Sequence, residues 1–271
     1  MNFIILYSKK DIAGINIANE LKKHYLPQIP LLELSKDSIY SEDIDKDERL
    51  RNTNFIIFAT RHKSEKGGKT LSLHAPGNWR NADFGGRAGK VCPTSALVLK
   101  FLFQKLKENA EKEKSDYPVT LECTHHGPLI EKPCCFIELG AGEEQWKDKK
   151  TAAIIAKTIS DLQNFEKWKE DNKKQIKTAI GIGGPHYCPN FNKIQLSETS
   201  NIALGHIIPE YCLPLNESML KEAIEKTKEH VEVFILDWKG CGKNEERQKV
   251  VELLEKFNLK YERAEKIKKI N

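Results

Sequence analysis

The chain has 271 residues, of which 39% are hydrophobic and 31% are charged, and its formal net charge at pH 7 is +5. This composition is typical of a globular protein and excludes an intrinsically disordered one. No apolar run approaches the ~18 residues that a membrane span requires. The opening residues MNFIILYSKK lack the basic start and the cleavage site of a signal peptide, so we expect a cytoplasmic protein that does not enter the membrane.

The seven cysteines are odd in number and include no CxxC pair. Three of them, Cys123, Cys134 and Cys135, lie within apolar runs. This usage is typical of a reducing compartment and predicts thiols that are mostly buried.

Apolar runs and amphipathic segments alternate along the chain. Short apolar runs predict strands at residues 2–8, 54–60, 117–124, 134–139, 177–184, 201–208 and 231–238. Apolar residues at helical spacing predict helices at residues 11–25, 92–114, 143–165, 217–230 and 244–259. Strands that alternate with helices predict an α/β fold with a mixed, mostly parallel sheet. No linker forces a domain boundary, so residues 1–271 are predicted to form a single compact α/β unit or two closely packed lobes.

Six of the eight histidines follow predicted strands or lie in one long loop: His62, His74, His125, His126, His186 and His206. Ligands of open α/β sheets bind outside the carboxyl ends of the strands, so parallel strands would bring these histidines to one rim. In the stretch ECTHHGPLI, Gly127 and Pro128 turn the chain directly after the paired histidines and so keep them at the end of the strand.

Acids accompany these histidines and suggest a metal site. Imidazole and carboxylate are the usual ligands of a catalytic zinc, and a glutamate that does not bind the metal can serve as general base. The candidates, enough for two metal ions, are Glu122, His125, His126, Glu138, His186 and His206. The spacing matches neither HExxH nor a zinc finger. Adjacent residues of an extended chain point in different directions, so we expect one of His125 and His126 to bind metal and the other to orient the substrate.

Residues 61–90 are rich in glycine and in basic residues, with Trp79 and Phe84 between them. Glycines let backbone N–H groups approach an anion, cations pair with phosphates, and an aromatic face can stack an unpaired base. We interpret this segment as a loop without regular structure that binds the single-stranded end of an RNA. A mobile loop with scattered lysines is the alternative interpretation.

Seven blocks follow one another along the chain: RHKSEKG, HAPGNW, ECTHHGP, ELGAGEEQW, GIGGPHYCP, LGHIIPEY and LDWKG. Together they resemble the D-aminoacyl-tRNA deacylases of the archaeal and plant type, over nearly the whole chain. The resemblance implies a zinc-dependent hydrolase that cleaves the ester between a D-amino acid and the terminal ribose of tRNA. It also implies a three-layer α/β/α fold, similar to those of phosphorylases and peptidyl-tRNA hydrolases.

The resemblance suggests a metal role for residues in the matching blocks, and the residue types themselves suggest the catalytic and tRNA-binding roles. The metal role is carried over to Glu122, His125, His126, His186 and His206. The catalytic residues are predicted to be Glu122, His126 and Glu138. The residues predicted to bind the aminoacylated 3′ end of tRNA are Arg61, His62, Lys63, His74, Trp79 and Arg87, with the cations on the phosphates and Trp79 stacked on the terminal adenine.

Three alternatives stay open at this point. A zinc-dependent peptidase or amidase would use the same histidines and acids and would not need the basic loop. A non-catalytic tRNA-binding protein would use the histidines for a structural zinc, although such sites are usually closed by four ligands, often cysteines. A deacylase without metal would use His126 or His186 as the general base.

Overall fold

The computed structural model describes residues 1–25, 29–65, 67–172, 175–197, 200–258 and 260–267. The strands are β1 (Phe3–Ser8), β2 (Leu31–Leu34), β3 (Phe55–Arg61), β4 (Thr70–His74), β5 (Gly77–Asn78), β6 (Lys90–Val91), β7 (Val119–Leu121), β8 (Cys134–Gly140), β9 (Lys177–Ile182), β10 (Ile202–Ile208), β11 (Val231–Leu236) and β12 (Lys260–Arg263). The α-helices are α1 (Ile12–His24), α2 (Ala96–Lys112), α3 (Glu143–Trp146), α4 (Lys149–Ser160), α5 (Phe165–Asn172), α6 (Pro189–Leu196), α7 (Glu217–Glu225) and α8 (Asn244–Glu255).

These strands form two principal sheets and one short ribbon. The six-stranded sheet has the order β2-β1-β3-β8-β4-β7, and the four-stranded sheet has the order β10-β9-β11-β12. All neighbours are parallel except β4 and β8, which pair antiparallel. The ribbon is the antiparallel pair β5 and β6. The predicted α/β class with mostly parallel strands is confirmed, although the strands are divided between two sheets.

The two faces of the six-stranded sheet differ in chemistry. Successive residues of a strand point to opposite faces. Ala59, Leu73 and Ile137 therefore face the main apolar core, which they share with residues of α1, α2 and α4. The register places Thr60 opposite Glu138, and Glu138 opposite Ser72 on β4. His74 has the same parity as Ser72, so the second face carries a row of polar side chains in the middle of the sheet.

The helix α2 packs between the two sheets, in contact with both β4 and β10. Its first half is apolar except for Lys100 and is buried on all sides, and Ser95 caps its N-terminus by accepting a hydrogen bond from the N–H of Val98. All seven cysteines are buried. Among the described residues, no helix has the length and apolar character needed to cross a membrane.

A short segment after β7 connects the sheets by backbone hydrogen bonds. The N–H of Glu122 donates to Leu73 of the six-stranded sheet. The N–H of Cys123 donates to the carbonyl of His186, which follows β9, and the N–H of Thr124 donates to Ile207 of β10. Residues 122–124 are thus bonded to both halves of the molecule, that is, to the part built on the six-stranded sheet and to the part built on the four-stranded sheet.

The interpretation of residues 61–90 as an irregular loop is wrong. This segment contains β4, an internal strand of the six-stranded sheet, and the ribbon of β5 and β6. The sequence TLSLH of β4 alternates apolar and polar residues, which is the pattern of a strand between an apolar and a polar face. Lys66, counted among the cations of the segment, lies outside the described residues.

The predicted helix at residues 143–165 is also interrupted. It consists of α3, α4 and a 3-10 turn at Asp161–Asn164 that leads into α5. Asp148 caps the new start at α4, where its side chain accepts a hydrogen bond from the N–H of Thr151. A capping residue such as Asp148 marks the start of a helix. The apolar spacing continues across it, so the spacing alone predicts one uninterrupted helix.

Candidate active site

Glu138 lies at the centre of the polar face of the six-stranded sheet and is 3% exposed. Its Oε1 accepts a hydrogen bond of 2.9 Å from the hydroxyl of Thr60, and its Oε2 lies 3.2 Å from Nδ1 of His62. Burial by itself raises the pKa of a carboxyl group. The neighbouring imidazoles of His126, His62 and His74 outweigh burial and hold the pKa of Glu138 well below its usual value. Glu138 is therefore a buried carboxylate that is ionised at neutral pH.

Glu122 is the second buried carboxylate, and its side chain has no exposed surface. Its Oε2 lies 2.9 Å from Nε2 of His186 and 3.4 Å from Nε2 of His125. Burial raises the pKa of Glu122, but the hydrogen bond with His186 and the nearby imidazoles outweigh it, so the pKa is lowered. The Oε1 atom lies 3.1 Å from Nδ1 of His62 but makes no hydrogen bond among the described residues. His62 thus lies between both carboxylates and donates to Glu138.

The adjacent histidines point to different carboxylates, although the backbone at His126 is not extended as the sequence argument expected. His125 points to Glu122, and Nε2 of His126 lies 3.9 Å from Oε1 of Glu138. His126 has a φ of +45°, in the left-handed region that a non-glycine residue rarely adopts. Such strain is found where the fold needs a side chain in one particular direction. Both rings contact His74, with ring centroids 4.2 Å and 4.8 Å away.

The protonation of His125 follows from its surroundings. Burial, followed by the neighbouring imidazoles of His74 and His126, lowers its pKa well below the usual value. The Nδ1 atom lies 2.9 Å from the backbone carbonyl of Cys123, which fixes the orientation of the ring. A neutral imidazole held by a carbonyl on one nitrogen presents the other nitrogen as a ligand.

His186 connects the carboxylates to a thiol and a phenol. Its Nδ1 lies 3.4 Å from Sγ of Cys123 and 3.2 Å from the hydroxyl of Tyr211. Burial lowers the pKa of His186, but its hydrogen bonds with Cys123 and Glu122 outweigh this and raise the pKa to about 10. Tyr187, the next residue, places its hydroxyl 3.0 Å from Nε2 of His62. The two tyrosines therefore border the cluster on its open side.

Three groups of three donors have their ligand atoms within 4.8 Å of one another: His74, His125 and His126; Cys123, His125 and His186; His62, Glu122 and Glu138. Two fully buried atoms, Nε2 of His74 and Oε1 of Glu122, have no hydrogen-bond partner among the described residues. An unpaired buried polar atom costs about 1–3 kcal/mol, which a bound cation would recover. The nitrogen, sulfur and carboxylate donors are those that zinc prefers, so the residues fit a zinc ion.

Two predicted site residues, His206 and Trp79, are buried outside this cluster. His206 is fully buried, with Nδ1 3.1 Å from the hydroxyl of Thr124 and Nε2 3.4 Å from the carbonyl of Lys226, and it belongs to none of the three donor groups. Burial lowers its pKa to about 4. Trp79 is 4% exposed, and its indole N–H donates to the carbonyl of Ile207. Both residues therefore stabilise the contact between the ribbon and β10, and neither presents a free group to a ligand.

The predicted cations lie at the surface. The Arg61 guanidinium donates to the carbonyl of Lys10, lies 3.5 Å from Asp37, and packs over the ring of Trp146. The side chains of Lys63 and Arg87 are exposed. His62 and His74, predicted to bind substrate, lie instead in contact with the two carboxylates and belong to the donor groups.

Four residues of the site escaped the sequence analysis: Thr60, Cys123, Tyr187 and Tyr211. The apolar run around Cys123 predicts a buried structural thiol, although Cys123 stands between Glu122 and the paired histidines. Tyr187 follows His186 directly, and this adjacency was the available signal.

The residues also meet in a different way from the predicted convergence of strand exits. Because β4 and β7 run opposite to β3 and β8, the ends of these four strands do not share one rim. His74 and Glu138 come together because they share a face of the sheet. The alternation of side chains along strands, more than the direction of the strands, assembles this site.

Two buried carboxylates, ionised and in contact with several imidazoles, are typical of the active site of an enzyme that uses acid–base chemistry. Residues 50–262 match the family model described as D-aminoacyl-tRNA deacylase. The chain belongs to the D-aminoacyl-tRNA deacylase family, and it is an enzyme, as the seven sequence blocks predicted.

Similar proteins cover nearly the whole chain. The D-aminoacyl-tRNA deacylase of Methanocaldococcus jannaschii is 32% identical over 273 residues, which cover 97% of this chain and 100% of that protein. The D-aminoacyl-tRNA deacylase of Thermococcus kodakarensis is 31% identical, with 95% and 98% covered. A crystal structure described as a conserved protein of unknown function superimposes with a TM-score of 0.86 at 28% identity, covering 99% of this chain and 97% of that one.

Proposed function

We propose that this protein hydrolyses the ester bond of D-aminoacyl-tRNA with a zinc-activated water and releases free tRNA and the D-amino acid. The observation that carries the proposal is the placement of His62 between Glu122 and Glu138, 3.1 Å and 3.2 Å from their carboxylate oxygens. In a chain of the deacylase family, this placement puts a buried general base, Glu138, beside a set of metal donors. The part of tRNA engaged is the aminoacylated 3′ end, and the proposed location is the cytoplasm, where translation supplies this substrate.

The zinc ligands we propose are Glu122, Cys123, His125 and His186, which all belong to the donor groups, whereas His126 lies beside Glu138. When bound, zinc would supply a water molecule of lowered pKa and a positive charge beside the ester carbonyl. His206 is left out of this set because both of its ring nitrogens have partners in the protein.

The acid–base work falls to Glu138. Its carboxylate is ionised and oriented by the hydroxyl of Thr60, so it can accept a proton from the attacking water. His62 and His126 contact the same carboxylate and stabilise its charge. As the ester breaks, the proton held by Glu138 can pass to the departing ribose oxygen, which leaves as a hydroxyl group.

One observation favours a second mechanism for the same reaction. Sγ of Cys123, the His186 ring and Oε2 of Glu122 form a continuous chain, with contacts of 3.4 Å and 2.9 Å. A thiol, an imidazole and an acid in this order can also activate a nucleophilic sulfur. In that case the ester would be cleaved through an acyl-thiol intermediate, and no metal would be required.

The test compares a D-aminoacyl-tRNA with its L-counterpart before and after exhaustive chelation, followed by addition of zinc. Loss of D-specific hydrolysis on chelation and recovery with zinc would support the metal-dependent reaction. D-specific activity that survives chelation but disappears in Cys123→Ala would support the thiol mechanism. Absence of activity on both tRNAs, together with hydrolysis of a peptide substrate, would support the peptidase alternative instead.

A further inference from the structure

The side chain of Tyr211 has an unusual orientation, with its hydroxyl directed inward and its ring exposed. It lies in the 3-10 turn Glu210–Cys212 that follows β10, and 57% of its surface is exposed. Its hydroxyl points inward, 3.0 Å from Sγ of Cys123 and 3.2 Å from Nδ1 of His186. Tyrosine normally buries its ring and leaves the hydroxyl near water. Here two contacts with the site hold the hydroxyl, and the apolar ring is left in solvent.

The exposed ring of Tyr211 contributes little to the stability of the folded chain. An exposed ring contributes little hydrophobic free energy, because its apolar surface stays in water. The ring is nevertheless held in one direction, with its plane within 22° of the plane of His186. A fixed and solvated aromatic face beside a reactive centre is suited to receive a flat apolar partner from solution.

The chemistry of the substrate places such a partner next to the site. In an aminoacyl-tRNA the reacting ester is attached to the terminal ribose, and the same ribose carries the terminal adenine. The base therefore lies within one nucleotide of the carbonyl carbon wherever the ester binds. Unpaired bases of a single-stranded 3′ end are commonly held by stacking on aromatic side chains.

We propose that the ring of Tyr211 is the platform on which the terminal adenine of the tRNA stacks. The inference rests on the proposed function and names the residue that positions the substrate. Trp79, the residue predicted from the sequence for this role, is buried with its N–H occupied. The hydroxyl contacts of Tyr211 fix the ring relative to Cys123 and His186, so binding of the base would also set the position of the ester.

Two other aromatic residues compete for this role. Phe84 is 64% exposed, but its described link to the site runs through its backbone, whose carbonyl accepts a hydrogen bond from the N–H of Gly127. Tyr187 is 39% exposed, and its hydroxyl contacts His62. Tyr211 combines the greater exposure of the two tyrosines with contacts to a thiol and an imidazole of the donor groups.

The variants separate the ring from the hydroxyl. Tyr211→Phe keeps the aromatic face, whereas Tyr211→Leu keeps an apolar side chain without it. Tyr261→Leu is the matched control, because Tyr261 is an exposed tyrosine on β12, far along the chain from the site. Stacking of one base is worth about 1–3 kcal/mol, so we expect Tyr211→Leu to raise KM for D-aminoacyl-tRNA about five-fold or more. Tyr211→Phe should raise KM less than Tyr211→Leu does, and Tyr261→Leu should keep the KM of the natural chain within about two-fold.

A second measurement does not depend on catalysis. A short single-stranded RNA that ends in 2-aminopurine in place of adenine is titrated with each protein, because stacking quenches the fluorescence of this base. We expect quenching by the natural protein and by Tyr211→Phe, and its loss in Tyr211→Leu. Should Tyr211→Leu fold poorly, Tyr211→Trp offers a larger ring and is expected to quench at least as strongly.

Several results would overturn the inference. An unchanged KM in Tyr211→Leu would do so, as would equal losses in Tyr211→Phe and Tyr211→Leu, since the hydroxyl would then be the important group. Loss of quenching in Phe84→Ala with full quenching in Tyr211→Leu would assign the platform to Phe84. Absence of hydrolysis by the natural protein overturns the proposed function instead, and the fluorescence titration still reports on the stack.

Discussion

Glu122 and His186 lie 64 positions apart in the chain, yet 2.9 Å separates Oε2 of the acid from Nε2 of the imidazole. Glu122 follows β7 of the six-stranded sheet, and His186 follows β9 of the four-stranded sheet. This contact thus joins the two halves of the fold inside the candidate site. The carboxylate has no access to water, so its charge depends on the imidazoles around it.

The first prediction concerns this carboxylate. Glu122→Gln keeps the shape of the side chain and removes its charge, so the imidazoles of His186 and His125 lose their anionic partner. We expect the variant to bind less zinc and to lose about 100-fold or more in kcat on D-aminoacyl-tRNA. Metal analysis of the purified protein and single-turnover kinetics measure the two effects. The control is Glu245→Gln on the exposed first turn of α8, and equal zinc content and kcat in both variants would contradict the assignment.

The second prediction separates the adjacent histidines. His125 points to Glu122 and takes part in two donor groups, whereas His126 points to Glu138 and takes part in one. We expect His125→Ala to lose bound zinc, and His126→Ala to retain most of it while kcat falls. Zinc content and kcat are measured for both variants on the same preparation. Small and equal effects of the two substitutions would mean that neither residue has the role assigned to it.

The third prediction concerns Trp79, which is buried in the core. Trp79→Phe removes the N–H that donates to Ile207, and the carbonyl of Ile207 keeps only its hydrogen bond from the N–H of Thr124. We expect the free energy of unfolding to fall by about 0.5–1.5 kcal/mol, with KM for D-aminoacyl-tRNA unchanged. Chemical denaturation and steady-state kinetics are the measurements. A raised KM in a variant of unchanged stability would restore the original role of Trp79 in base stacking.

The fourth prediction is a dependence of stability on pH. Lys100 on α2 is 2% exposed, and its Nζ donates to the backbone carbonyl of Gln195. Burial lowers its pKa from 10.5 to about 8. Between these two values the unfolded chain binds more protons than the folded chain, so stability rises with pH in this interval. Below pH 8 both states are protonated, and the cost of the buried charge is constant.

The substitution Lys100→Met removes this titration. We expect the difference in unfolding free energy between the natural protein and Lys100→Met to shift by up to about 3 kcal/mol in favour of the natural protein between pH 8 and pH 10.5. Urea denaturation at a series of pH values measures it. Lys107→Met is the control, because Lys107 lies on the same helix and is paired at the surface with Glu111. If the unfolding free energies of the natural protein and of Lys100→Met changed with pH in parallel, burial would not lower the pKa of the Lys100 ammonium group.

The periodic parts of the sequence predicted the fold well. The apolar runs of β1, β3, β8, β9 and β11 and the stripes of α1, α2 and α8 gave the α/β class. The pattern did not reveal β4, because the glycines and charges around TLSLH dominate the composition of residues 61–90. Local composition favoured a loop, but pairing with β8 and β7 on either side stabilises the strand. The only signal of this strand in the sequence is the short alternation of apolar and polar residues in TLSLH.

The candidate site was predicted in part, for a related reason. His125, His126 and His186 stand out as imidazoles in glycine-rich turns, and Glu138 as an acid inside an apolar strand. His206 has the same local appearance, yet Thr124 and Lys226 satisfy both of its nitrogens. No local pattern distinguishes a histidine bonded within the protein from one free to bind a ligand, because the partners come from distant segments. Tyr211 was missed for the same reason, since its contact with Cys123 spans 88 positions.

The backbone hydrogen bonds of residues 122–124 have a consequence for the order of folding. The N–H of Glu122 is held by Leu73 in one sheet, while the N–H groups of Cys123 and Thr124 are held by His186 and Ile207 in the other half. Either half can form its own sheet without bringing Glu122 to His186. Contacts between segments so distant in sequence are formed late, because closing the intervening loops costs entropy first. Recovery of enzymatic activity during refolding therefore marks the docking of the two halves, and should lag behind the recovery of secondary structure.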